Sequence, residues 1–224
     1  MIDSYTLVKW AHVWVMGYWI GSDLVVNALT FYTARSTALP GAERRRQWDF
    51  LMDVDQHPRN ALILSVPLGL TLAAWSGLLP LGSAAVLALW ILSLLWFCYM
   101  WLTHWKRHSA IGGRLAAWDW NSRYFLIAAC VLTGALSLLG NGPFATGWLA
   151  WKVILFGGVL ACGIAIRHYI RVSYQAWPRI WADQKQQGDD QIVLDAMRRA
   201  TYALWALWAL LVIIGYLGAA KPVL

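Results

Sequence analysis

Charge is what this sequence has least of. Asp, Glu, Lys and Arg make up 13% of its 224 residues against 60% hydrophobic, with a mean hydropathy of +0.51. That balance excludes an ordinary soluble domain and reads as an integral membrane protein. Cysteine is scarce as well: Cys98, Cys130 and Cys162 sit singly in apolar runs, without the paired spacing of a zinc or iron-sulfur site. They read as small buried residues. The opening residues lack a basic n-region, and the first apolar stretch runs too long for a cleavable signal, so insertion is expected to rely on the first span itself. No internal repeat and no separate soluble domain is apparent, which gives inverted-repeat transporter architectures no support. A net charge of +7 does not point to nucleic acid, because the basic residues lie in connections between long apolar runs.

Those runs have the length of membrane-crossing helices, about 20 residues each. Six are expected: roughly Tyr5 to Tyr32, Ala61 to Leu79, Ser83 to Thr103, Tyr124 to Leu139, Thr146 to Ile166 and Ala200 to Leu217. Arg35, Arg44, Arg45, Arg46 and Arg59 surround the first connection, Lys106, Arg107, Arg114 and Arg123 the third, and Arg167, Arg171, Arg179, Lys185, Arg198 and Arg199 the fifth. The intervening loops carry no charge. The positive-inside rule then predicts an all-α, polytopic bundle with both termini on the outer, periplasmic side of a bacterial inner membrane. The chain reads as one domain over 1–224, with cytoplasmic interfacial segments at about 36–58 and 172–199. Pro58 is expected to start the second span and Pro67 to bend it, while Asp189 or Asp190 is placed to cap a helix continuing into the sixth.

Polar residues inside the spans carry the functional signal. The stretch Lys9 to Asn27 is apolar except for a few groups, and His12, Met16, Trp19, Asp23 and Asn27 follow at three or four residues, sharing one helix face. An ionisable group at bilayer depth faces a bundle interior by default. Counted from the outer face, His12 and Lys152 fall at one level, roughly 10 Å deep at about 1.5 Å per residue. Asp23 and Asn27 lie in the inner half. His57, His104 and His168 come at the inner ends of three helices, with His108 one turn beyond His104.

Histidines on facing helices are the usual means of holding b-type haem. The sequence offers aromatic walls (Trp14, Trp19, Trp96, Trp101), small residues for close approach, and Arg59, Arg107 and Arg123 as cations for propionates. His12 is the first candidate iron ligand, with His57 and His104 as candidates for a second haem. Plainer readings compete: interfacial anchoring for His108 and His168, capping or head-group contact for His57, core packing for Met16 and Met100, and an ion pair of Asp23 with Arg59 or Arg123.

The motif Lys9-Trp-Ala-His12 followed by Trp19-Ile-Gly21 resembles the opening helix of copper-resistance-D and HemJ-like membrane proteins; the membrane part of bacterial cytochrome-linked urate oxidases begins similarly. The basic stretch at Glu43, then His57-Pro58 opening a helix with Pro67 and Gly69, continues the likeness, as do Trp151-Lys152-Val-Ile-Leu and the closing Ala219-Ala-Lys221-Pro222. The tyrosine-histidine pair of HemJ-like proteins is not matched: Gly163 occupies that region, and Arg167-His168-Tyr169 comes later. The resemblance implies haem b and membrane redox chemistry, with His12 and Lys152 at the matching positions. Three functions follow as expectations. The first is electron transfer between a partner cytochrome, quinone or small substrate, alone or beside respiratory-complex subunits. The second is HemJ-like oxidation of a porphyrinogen, with Lys152 as charge partner or base and Asp23 as proton relay. The third is permeation of copper or another ion, which the lack of Met and Cys ligands paired along helices disfavours.

Overall fold

The structure is a computed structural model that describes residues 3–223, and every regular element among them is helical. Six long helices, α1 (Ser4–Arg35), α3 (Gln56–Trp75), α4 (Ser83–Trp105), α5 (Ala110–Leu138), α6 (Gly147–Ser173) and α8 (Asp189–Ala220), form the bundle. Two short ones, α2 (Gly41–Val54) and α7 (Trp177–Trp181), lie at one end of it. Local chemistry sets several boundaries. Asp3 caps α1 by accepting from the Thr6 N–H at 2.6 Å, and Ser109 caps α5 by accepting from Gly112 N–H at 3.2 Å. Gly188 takes a left-handed conformation, φ 95°, to turn the chain into α8, whose first turn carries Asp189 and Asp190.

Four of the helices, α4, α5, α6 and α8, are long and apolar enough to cross a membrane. Only 11% of the apolar window of α4 and of α5 is buried within the protein, and Trp105, Trp118, Phe125 and Leu132 stand out from the bundle. Surface of that kind is covered by lipid. The helices α1 and α3, of 32 and 20 residues, are not among the four; α1 carries Lys9, His12, Asp23 and Asn27, and α3 opens with Gln56, His57, Arg59 and Asn60.

Two expectations about element boundaries need correction. The helix expected from Tyr124 begins instead at Ala110, because Arg114, Asp119 and Arg123 continue a helical turn rather than form a loop. The segment after α6 contains an unforeseen helix, α7, whose Trp177 and Ile180 are buried. Pro67 lies inside α3.

The six long helices alternate in direction. At one end the C-terminal part of α1 meets α2, α7 and the start of α8 around Ala34, Trp48, Leu51, Trp177 and Met197. Arg44 is sealed beneath this cluster, with Nη1 donating to Asp190 at 2.6 Å and its guanidinium over the Trp177 ring. Arg179 donates to Asp189 at 2.5 and 3.0 Å, tying α7 to α8. At the other end Ala73, Leu79 and Leu149 form a smaller core. The main core runs between them, built from α1, α3, α6 and α8 with Met100 of α4.

Close approach of α5 and α6 depends on Gly134. A Cβ there would lie 2.5 Å from Ile154 Cγ1 and 2.9 Å from the Ala150 carbonyl oxygen, so the backbones must separate to admit it. Gly134→Ala is expected to lower stability by about 1–3 kcal/mol through overpacking, measured as a fall in thermal unfolding midpoint of the detergent-purified protein.

Candidate functional site

Three cavities lie in series along the bundle. The first has a volume of about 320 Å³ and is lined by all six long helices, among them by His12, Met16, Gly69, Cys130 and Lys152. Trp19 and Trp96 form part of its wall and also part of the wall of a second cavity, about 120 Å³, that contains Asp23, Asn27, Arg59, Arg123 and Arg167. The second shares Trp48, Met52, Arg59, Met100, Arg167 and Ile170 with a third, about 490 Å³, at the end where α2 and α7 pack.

The stripe on α1 thus divides between two chambers. His12, Met16 and Trp19 face the first; Trp19, Asp23 and Asn27 face the second. In the first, the His12 Nδ1 is buried without a hydrogen-bond partner. Its imidazole packs on Gly69, where a Cβ would lie 3.2 Å from His12 Cε1, so glycine makes room for the ring. Lys152 lies over the Trp148 ring at 5.8 Å, and its Nζ is close to α8, 2.7 Å from where a Cβ at Gly218 would fall. No carboxylate pairs with it among the described residues. An imidazole and an amine therefore share an apolar chamber with no counter-ion, which costs stability unless something else answers them.

In the second chamber Asp23 accepts from Trp208 Nε1 at 3.4 Å, and Asn27 accepts from Thr201 Oγ1 at 2.8 Å. The ion pair of Asp23 with Arg59 or Arg123, the plainer alternative to a proton relay, does not form among the described residues. Arg59 bonds Asp55, four residues before it, and Arg123 bonds Asp119 at 3.3 Å, also four residues before it. Arg167 of α6 bonds the same Asp119 oxygen, so one carboxylate joins two helices through two guanidiniums. The sequence shows Arg167 only as one of the basic residues of the fifth connection and does not reveal its partner; the signal for the cluster lies in the spacing of Asp119 and Arg123 and in the arginine closing the apolar run of α6.

The remaining histidines do not gather. His57 is exposed, with its Nδ1 2.6 Å from the Tyr18 hydroxyl, and it lines none of the three cavities. His104 is buried in the wall of the third, 3.0 Å from Asp53 and 2.7 Å from Arg107 Nη1. His57 and His104, the pair considered for a second haem, thus share neither a hydrogen-bond partner nor one of the three cavities. His108 reaches Asp49 at 4.0 Å, and His168 is exposed beside Tyr169. Among the described residues no three His, Cys, Asp or Glu side chains converge as a metal-binding group.

The first cavity thus combines a buried, unpartnered imidazole nitrogen of His12, a close approach at Gly69 and the aromatic rings of Trp19, Trp96 and Phe156; these residues would hold a flat ligand such as haem by one imidazole. Met16 lies one turn along from His12 on the same helix, and Lys152, from α6, is the charged side chain in this lining, beside the hydroxyls of Ser65 and Thr133. No protein-family model, curated protein or solved structure matches the chain significantly.

The Asp119 cluster sets a testable difference. Asp119→Asn leaves Arg123 and Arg167 without a buried counter-charge and is expected to cost about 3–5 kcal/mol. Asp53→Asn, at a carboxylate 57% exposed, is expected to cost less than about 1 kcal/mol. Thermal unfolding of the two purified variants measures the contrast.

Proposed function

We propose that this chain is a haem b-binding integral membrane redox protein that passes electrons between a partner cytochrome, a quinone or a small substrate. The observation that carries the reading is the buried His12 nitrogen, unpartnered, on the wall of an apolar chamber lined by all six long helices. Bound haem would supply one-electron chemistry at iron. His12 ligates; Trp19 and Trp96 wall the chamber; Lys152 offers a positive charge to a carboxylate of the group or of a substrate. Asp23, beyond Trp19, is placed to hold or release a proton on the side of the arginine cluster.

The topology belongs to the same proposal. All six long helices cross a bacterial inner membrane, and the end bearing α2, α7 and the arginines faces the cytoplasm, which leaves both termini in the periplasm. That orientation puts His12 and Lys152 near the periplasmic side, where a soluble cytochrome or a respiratory-complex subunit can exchange electrons.

A second reading is passage of copper or another ion. It is favoured by Met16 and Cys130 lining the same chamber as His12, a thioether, thiol and imidazole set that suits Cu(I), and by the three cavities in series.

The spectrum of the detergent-purified protein separates the two. A Soret band, a reduced b-type α band and a pyridine haemochrome near one haem per chain are expected. His12→Ala should abolish the Soret band and His57→Ala should keep it. A colourless wild-type protein, or an unchanged His12→Ala spectrum, overturns the assignment of haem to His12. Raised copper accumulation in cells expressing a colourless protein would bring the second reading forward.

A further inference from the structure

The third cavity is the largest of the three and has no part in the haem reading. Five arginines, Arg45, Arg59, Arg107, Arg167 and Arg171, line it against two aspartates, Asp49 and Asp119. Three of the five are committed: Arg59 to Asp55, Arg107 to Asp53 and Arg167 to Asp119. Arg45 and Arg171 have no carboxylate partner among the described residues. Their neighbour Arg46 shows the contrast, since Glu43 accepts from it at 2.8 and 2.9 Å and its carboxyl is held below the ordinary value mainly by those bonds.

The two uncommitted guanidiniums are nevertheless held in place. Arg45 of α2 lies 5.8 Å over the Trp181 ring of α7, and Arg171 of α6 lies 4.7 Å over the Trp120 ring of α5. Both tryptophans line the same cavity. Stacking on an aromatic face orients a guanidinium without using its N–H groups. Two further donors of this wall are buried with no partner, Arg107 Nε and Trp181 Nε1. Buried donors left unpaired are expensive, and Arg107 and Trp181 bring two of them to the same space as the exposed Arg45 and Arg171 guanidiniums.

We propose that this cavity binds a phosphate-bearing anion. Several donors from separate elements match the multiple acceptor oxygens of a phosphate better than the two of a carboxylate, and planar guanidiniums grip phosphate bidentately. The phosphate belongs either to an anionic lipid head group, at whose level the basic end of the bundle lies, or to a free phosphate compound. The site is independent of haem at His12.

Native mass spectrometry of the purified protein with dioleoyl phosphatidylglycerol or dioleoyl phosphatidylcholine tests the first source, and thermal unfolding with inorganic pyrophosphate against chloride at equal ionic strength tests the second. The Arg45→Gln/Arg171→Gln variant is expected to bind the preferred anion about tenfold or more weakly, through loss of charge-assisted hydrogen bonds. Arg114→Gln/Arg199→Gln removes equal charge from exposed positions outside the cavity and should bind as wild type does. Preference for phosphatidylglycerol alone assigns a lipid head group; stabilisation by pyrophosphate assigns a free phosphate compound. No preference for either anion by the wild-type protein, a measurement that needs no variant to fold, overturns the proposal. Equal loss in both double variants, which would mark diffuse surface attraction, overturns it too.

Discussion

An ionised group removed from water must be answered inside the protein, and the Asp119 carboxylate between Arg123 and Arg167 is where this chain meets that constraint most fully. One acid joins α5 to α6 at the end where the arginines collect. Further along the same pair, Gly134 lets the backbones close until Ile154 and Ala150 fill the space a side chain would take. The ion cluster and the glycine contact are complementary: one fixes the register at the polar end, the other the separation in the apolar middle.

The two ends of the bundle treat polar groups differently. Where α2 and α7 pack, charges are mostly paired or stacked: Arg44 with Asp190, Arg179 with Asp189, Arg59 with Asp55. Toward the opposite end, His12 and Lys152 stand in an apolar chamber without a carboxylate. Paired charges hold architecture; unpaired ones in a cavity have capacity left for a ligand. The same distinction operates within the third cavity, where Arg59, Arg107 and Arg167 support the wall and Arg45 and Arg171 remain uncommitted.

Much of the α1 stripe was legible because helical periodicity is local. His12, Met16, Trp19, Asp23 and Asn27 need only a regular helix to share a face, and α1 runs unbroken from Ser4 to Arg35. The meeting of His12 and Lys152 was legible from depth alone, since each lies a similar distance from the same end. Depth failed for His57 and His104: a common level does not fix rotation about the helix axis, and the two side chains belong to different surroundings. The alternative of an Asp23 ion pair falls for a related reason, because Asp55 and Asp119 sit one helical turn from Arg59 and Arg123 and reach them first. The start of α5 was missed because Gly112, Gly113 and Arg114 read as a connection, whereas the chain places Gly112 where a Cβ would strike the Lys106 carbonyl.

The sequence by itself determined the helical class, the apolar runs, the gathering of basic residues in alternate connections and the polar face of α1. These follow from composition and from the pitch of a single helix, which are properties of position along the chain. Only the tertiary structure decided which polar groups share a cavity, that Trp19 and Trp96 divide one chamber from the next, and that Arg45 and Arg171 keep their donors free. The reason is geometric: neighbours across a bundle depend on how far each helix is rotated and how closely it approaches the others, and those are settled by packing among all the helices together.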